Sequence, residues 1–490
     1  MELQPALELT TNLCKELNAG KISYCHWKSN ANLDRSASGE NDLDLLISRS
    51  CMPQFTEILF RLGFKQAFEQ PGRQMPGVLD YYGYDQASGK FIHVHAHYQL
   101  VFGHDATKNY HLPVEKQYLD SIVQEKLFNI PAPEFEFIIL VIRMMIKHFT
   151  WDVVILGNGK LSKTERQELA YLQERVSHPK MINILGLILP CIDEPLFSEC
   201  IRSLTQKCSM GFRIKTAGKL RNQLKANSRR SYASDILMKI WRRLEEGIRR
   251  RVLRSSTRKR LANGGLMIAL IGGDGSGKTT SIDGLFEWLS REFEIKKIHM
   301  GKPPWSFTTI MVRGILKMGQ LLGLYHFFRE GSRQTLNTSS PAFPGVPWLI
   351  REVCTARDRY LVYRSGRRYA TNGGLVLCDR FPISQIKIMD GPQVERVTNG
   401  IKTNKLIRLL AGLERKYYGL IMLPDLLITL RLHPEISVQR KTNETADSVR
   451  ARAGEIWNID WSKTNAHIVD ASKIKAEVLS DLKTIIWSNL

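Results

Sequence analysis

The pattern of apolar and polar positions changes character along the chain. Up to about residue 130, short apolar stretches alternate with polar ones. Leu43–Ile47 is an apolar run interrupted by Asp44 and preceded by Asp42, and Phe91–Val101 alternates histidine with apolar residues; both have the period of two that a strand requires. Gln70–Gly77, with its proline and glycines, reads as a loop between such elements. From Pro131 onward the pattern is helical. Phe135–Phe149 is rich in Ile, Leu and Met and follows Pro131 and Pro133, residues tolerated at a helix start, and helical character continues to about residue 200. Leu237, Ile240, Trp241, Leu244 and Ile248 then recur at helical spacing with basic residues between them. Asn263–Gly265 reads as a hinge. Beyond it, strand, glycine loop and helix follow one another: Leu266–Ile271 as a buried strand, Ile282, Leu285, Phe286 and Leu289 as a helix face, then Lys297–Met300, Leu375–Cys378, Leu426–Leu432 and Ala466–Val469 as further strands. Such alternation predicts an α/β fold, a parallel sheet with helices on both faces.

Three regions follow from this reading: 1–150, α+β; 151–262, a helical extension and basic linker; and 263–490, α/β. A length of 490 residues gives each enough chain for a core of its own. The hydrophobic share of 43% and aromatic share of 9% exclude a disordered chain. Eight cysteines are scattered without a C-x-x-C pair, which argues against a zinc ribbon or a disulfide scaffold and for a reducing compartment. Met1–Glu16 lacks the basic and apolar regions of a signal peptide, and the longest uncharged apolar run, Ile182–Ile192, is too short to span a bilayer. These features lead to the expectation of a cytoplasmic protein.

Charge adds a partner class. The net charge is +22, and Arg202–Arg260 holds 19 Lys or Arg against three acidic residues. That density predicts attraction to an anionic membrane surface or nucleic acid, the plainer alternative being a linker helix with a solvated basic face.

The strongest chemical signal is Gly272-Gly273-Asp274-Gly275-Ser276-Gly277-Lys278-Thr279, which fits G-x-x-x-x-G-K-[ST] between an expected strand and an expected helix. Glycines let backbone N–H groups approach phosphate oxygens, and the helix N-terminus adds positive potential. Lys278 is expected to reach the β- and γ-phosphates of ATP, and the Thr279 hydroxyl to ligate Mg²⁺.

With Thr280 the loop reads G-x-D-G-x-G-K-T-T. Together with Asp379-Arg380-Phe381 closing a strand, Pro424-Asp425 opening the next, Pro434-Glu435, and Ile468–Ala471, this half of the chain resembles thymidylate kinase. The resemblance covers roughly 266–490. It implies a nucleoside monophosphate kinase that moves the γ-phosphate of ATP to a nucleotide or other phosphorylated acceptor. By position, Asp379 would sit near Mg²⁺, and Arg380 and Arg357 would hold the acceptor phosphate. Phosphoryl transfer also needs cations around the moving group, and Arg440, Lys441, Arg450 and Arg452 lie in a polar stretch suited to a lid. A homodimer is compatible with the resemblance. Ile271 stands where the family usually has an acidic residue, and Gly301–Pro304 replaces its usual Arg-Glu-Pro-Gly, which leaves the acceptor's base open.

Gly39–Ile47, with Asp42 and Asp44 two apart, resembles the Asp-x-Asp strand of nucleotidyltransferase-fold proteins; Lys28-Ser29 upstream and Gly63-Phe64 extend the likeness over about 22–150. Two carboxylates on one side of a strand can hold Mg²⁺ under a triphosphate. Where active members add a third carboxylate, this chain offers His93, His95 and His97, which could bind a transition metal or simply line a sheet face. Both an active transferase and an inactive nucleotide-binding relic remain open.

Overall fold

The structure is a computed structural model that describes residues 5–69, 74–155, 159–251, 258–323, 344–386, 391–398, 404–442 and 444–490. Part of the Gln70–Gly77 loop and residues 252–257 of the basic stretch lie outside these. The chain forms two compact units, Met1–Thr257 and Arg258–Leu490. No helix among the described residues is long and apolar enough to cross a membrane, and the eight cysteines are free thiols.

In the first unit, β1 (Tyr24–His26), β2 (Leu43–Ile47), β3 (Lys65–Phe68), β4 (Val78–Asp85) and β5 (Lys90–His97) build the main sheet in the order β1-β2-β5-β4-β3. β2 runs parallel to β5, and the other neighbours are antiparallel. Alternation on β5 explains its two faces. Ile92, Val94 and Ala96 are buried in the core, whereas His93, His95 and His97 share the opposite, partly covered face. Two small hairpins follow, β6 (Leu100–Phe102) with β7 (Tyr110–Leu112) and β8 (Val123–Glu125) with β9 (Phe128–Ile130).

The helical half of this unit is organised around Pro133–His148. That helix is apolar on nearly every side and is buried from Phe137 to Ile142. Helices Lys163–Arg175, His178–Ile188, Glu194–Thr205 and Met210–Gln223 share its core cluster. Ser162 and Glu165 close a capping box at the start of Lys163–Arg175, each side chain accepting from the other's backbone N–H.

The helix Tyr232–Arg251 sits the other way round from an ordinary amphipathic helix. Its polar side is the docked one: Lys239 is buried between Asp152 and Asp235, at 3.1 and 2.9 Å, and Arg242 donates to the Ala106 carbonyl. Its apolar stripe, Leu237, Ile240, Trp241, Leu244 and Ile248, is exposed.

The second unit opens with the short β10 (Arg260–Leu261) and is built on a fully parallel sheet of β11 (Met267–Gly272), β12 (Ile295–His299), β13 (Leu375–Asp379), β14 (Leu426–Arg431) and β15 (Ala466–Asp470), in the order β12-β13-β11-β14-β15. β11 is central and buried along its whole length, which accounts for its unbroken apolar run. Asn263–Gly265, expected as a hinge, belongs to this unit. Gly265 N–H donates to the Ala370 carbonyl at 2.8 Å, and a Cβ at Gly265 would fall 1.8 Å from the Gly374 carbonyl oxygen, so that backbone contact has no room for a side chain.

Candidate functional site

The carboxyl ends of β11 and β13 bring the glycine loop Gly272–Gly277 and the Asp379–Arg380 pair together. In open parallel sheets this edge, where strand order reverses, is where ligands bind. The chain leaves β11 at Gly272, turns through Gly273–Gly277 and enters the helix Lys278–Leu289. Gly275 and Gly277 have φ of 74° and 84°, the left-handed region that glycine enters without strain. A Cβ at Gly272 would lie 2.6 Å from Ser276 Oγ and 2.9 Å from the Leu430 carbonyl oxygen. The helix has no side-chain cap at its N-terminus, and Thr279 and Thr280 are exposed on its first turn. Lys278 is buried, its Nζ donating to the carbonyls of Gly272 and Gly273 at 2.8 and 2.7 Å, which holds the ammonium against the loop. Ser276 Oγ donates to the Gly273 carbonyl at 2.8 Å.

Asp274 gathers the cations. Its carboxylate is buried, and Arg452 Nε lies 2.6 Å from Oδ2; Arg380 Nη2 and Lys441 Nζ lie 3.8 and 3.9 Å from Oδ1. The helices Pro434–Arg440 and Ala446–Trp457 hold this arrangement against the loop. A Cβ on Gly273 would be 3.0 Å from Ala453 Cα, and one on Gly275 would be 3.2 Å from the Ser437 carbonyl oxygen. The four lid candidates therefore separate. Arg452 and Lys441 face the loop. Arg440 donates to the Ala471 carbonyl at 3.0 Å. Arg450 is exposed and pairs with Glu435 at 2.7 Å and Asp447 at 3.0 Å.

Asp379 is buried at the end of β13, and its Oδ1 has no hydrogen-bond partner among the described residues. A buried carboxylate oxygen beside the loop and a hydroxyl on the first helical turn are donors of the kind a hard, oxygen-seeking Mg²⁺ takes. Arg380 follows with φ of 59°, a left-handed conformation that a residue bearing a Cβ adopts only at some cost. Replacing it with glycine should leave stability unchanged or raise it by up to about 1 kcal/mol, whereas alanine should not. Thermal unfolding of the glycine and alanine variants side by side measures this backbone strain.

Arg357 and Arg359 lie on the long helix Val346–Thr371. Arg357 donates to Thr308 Oγ1. Arg359 is buried and reaches the end of β12, where Nε donates to the Met300 carbonyl at 2.9 Å and Nη2 to that of Gly301 at 3.3 Å; it also contacts the Tyr418 hydroxyl.

In the first unit, Asp42 and Asp44 approach the histidine face of β5. His93 Nδ1 is 3.0 Å from Asp42 Oδ1, and His95 Nδ1 is 3.3 Å from Asp44 Oδ1. Lys28 Nζ is 2.9 Å from the same Asp44 oxygen. Burial works against the charge on Asp44, but Lys28 and the hydrogen bonds of His95 and His97 outweigh it and hold the carboxyl well below the usual range. Burial also opposes the charge on His95, yet Asp44 and Asp80 raise its pKa to about 9. For His97 burial wins and lowers it to about 4. Ser29, after Lys28, donates its N–H to Glu168 at 2.8 Å, tying the upstream turn to the helical half.

Against known proteins, no family model matches the chain. It is similar to the uncharacterized ATP-binding protein YghR of Escherichia coli strain K12, and to the protein of the same name in strain CFT073 of serotype O6:H1. Each is 26% identical over 226 residues, 45% of this chain and 86% of the relative.

Two residues of these sites carry no local signal in the sequence. Asp80 on β4 meets the histidines only because β4 pairs antiparallel with β5, placing Asp80 opposite His95. Arg359 differs from Arg357 by two helical positions, about 200° around the axis, so only the packing of the helix decides which one faces β12. Spacing alone does not distinguish Arg452, the arginine at the loop, from Arg450.

Proposed function

We propose that residues 258–490 form an ATP-dependent phosphotransferase that binds Mg·ATP at Gly272–Thr280 and passes the γ-phosphate to an acceptor that already carries a phosphate, a nucleoside monophosphate such as dTMP being the first choice. The observation that carries the reading is the buried Lys278 under a glycine loop at the end of the central strand, with Asp379 and Arg380 closing the neighbouring strand. The ATP-binding name of the two relatives is in line with it.

In this reading the loop N–H groups and Lys278 bind the phosphates, and Arg452, held at the loop by Asp274, supplies the cation over the group in transfer. Arg380, with Arg359 or Arg357, positions the acceptor phosphate. Mg²⁺, held by Thr279 and Asp379, would neutralise phosphate charge. The remaining work of the chain is positioning and electrostatics, which is most of what phosphoryl transfer asks of a protein.

The test is ADP formation from Mg·ATP by the full chain across a panel of nucleoside monophosphates, sugar phosphates and phosphorylated lipids. Acceptor-dependent ADP release with one class supports the reading and names the acceptor. ATP binding without acceptor-dependent turnover for any class would sink it and favour a nucleotide-binding role without transfer.

A further inference from the structure

The sheet of the first unit aligns acidic and imidazole groups across three strands. Parallel pairing of β2 with β5 sets Asp44 opposite His95, and antiparallel pairing of β4 with β5 sets Asp80 opposite the same residue. His93, His95 and His97 share that face because residues two apart on a strand point the same way. His95 is thus the middle of a carboxylate–imidazole–carboxylate row, with a further imidazole on either side.

The spacing of the donor atoms has a chemical meaning. Asp44 Oδ1 lies 3.3 Å from His95 Nδ1 and 3.5 Å from His97 Nε2. A tetrahedral ion with bonds of 2.0–2.1 Å keeps its ligand atoms about 3.3 Å apart. A second set shares His95: Asp42 Oδ1 is 3.0 Å from His93 Nδ1, and Asp42 Oδ2 is 3.8 Å from His95 Nδ1. Both sets bring their donor atoms within 4.8 Å of one another.

Asp80 supplies an independent observation. Its Oδ1 lies 3.0 Å from Nε2 of both His93 and His95. A proton held on Nε2 by that carboxylate leaves the Nδ1 lone pair of each ring directed to the Asp42 and Asp44 side. This is the outer carboxylate that orients metal-ligating histidines. His97 Nε2 is buried, and Asp44 Oδ1 at 3.5 Å is the carboxylate oxygen it faces.

We propose that Asp44, His95 and His97, with Asp42 and His93 on the more exposed side, form a site for one divalent transition-metal ion of the zinc class, and that Asp80 is its outer carboxylate. Imidazole nitrogens favour such ions, whereas Mg²⁺ takes oxygen ligands in near-octahedral geometry. The histidines therefore change the kind of ion expected from Asp42 and Asp44 alone. Lys28, only partly covered, is the cation that the metal displaces from Asp44 Oδ1.

The experiment uses the full chain, stripped of metal by chelator and free of nucleotide, titrated with Zn²⁺ and Mg²⁺ by calorimetry and with Co²⁺ by visible absorption. The expected result is one Zn²⁺ per chain, no measurable Mg²⁺ binding at zinc-saturating concentrations, and the intense visible bands of four-coordinate Co²⁺. His95→Gln and His97→Gln should each weaken zinc by at least about 100-fold, and Asp80→Asn by about 10–100-fold. Absence of zinc binding, equal affinity for Mg²⁺, or unchanged zinc affinity in folded histidine variants would overturn the proposal. Should circular dichroism show that a histidine variant has lost its fold, the wild-type zinc-to-magnesium preference and the cobalt spectrum decide between the same two outcomes.

Discussion

Truncating Lys278 to alanine should lower turnover by about 10²–10³-fold while weakening ATP binding far less. The ammonium is buried and fixed between two loop carbonyls, so in the proposed reading its place beside the phosphates is set before chemistry begins. A cation held in place contributes most where negative charge grows, on the bridging and leaving oxygens of the transition state, and removing one such donor costs about that factor. The check is kcat and the ATP dissociation constant measured on the same preparation. A loss confined to ATP affinity would mean that Lys278 binds the ground state and the transition state equally, and the catalytic reading of the loop would fail.

Truncating Arg452 should slow transfer by about 10³-fold or more, the scale of a lost arginine finger. Arg450→Ala should change it by less than about fivefold, as expected for an exposed surface ion pair. The two arginines are two residues apart on one helix, yet Arg452 pairs with Asp274 inside the loop while Arg450 pairs with Glu435 and Asp447 at the surface. Asp274→Asn should reproduce part of the Arg452 effect, because it removes the loop carboxylate that aims the guanidinium and leaves Arg452 paired with Glu444. Single-turnover rates of the three variants separate these roles. Equal rates for Arg452→Ala and Arg450→Ala would place the transferring cation elsewhere.

The conformation of the glycine loop could be read from the chain because its requirements are local. Glycines at left-handed positions, a lysine at the helix start and an apolar run that must be a central strand are all properties of neighbouring residues. The parallel sheet could be read for the same reason, from the alternation of Leu266–Ile271, Leu375–Cys378 and Leu426–Leu432 with helical segments. What depended on packing was not legible. Whether Arg357 or Arg359 faces β12 turns on the roll of one long helix. Asp80 joins His93 and His95 through strand register. The Tyr232–Arg251 segment has a clear helical period, but nothing in that period says that its polar side docks through Lys239 and its apolar stripe stays exposed.

The measurement closest to the central claim is a single-turnover experiment with ATP labelled in the γ-phosphate, Mg²⁺ and the acceptor class identified by the panel, run on the wild type and on Lys278→Ala. The account predicts that label moves from ATP to the acceptor in the wild type, with little free phosphate, and that the variant binds ATP but transfers label at least about 100-fold more slowly. Label that stays on ATP or appears only as free phosphate in the wild type, or equal transfer by the variant, would contradict it.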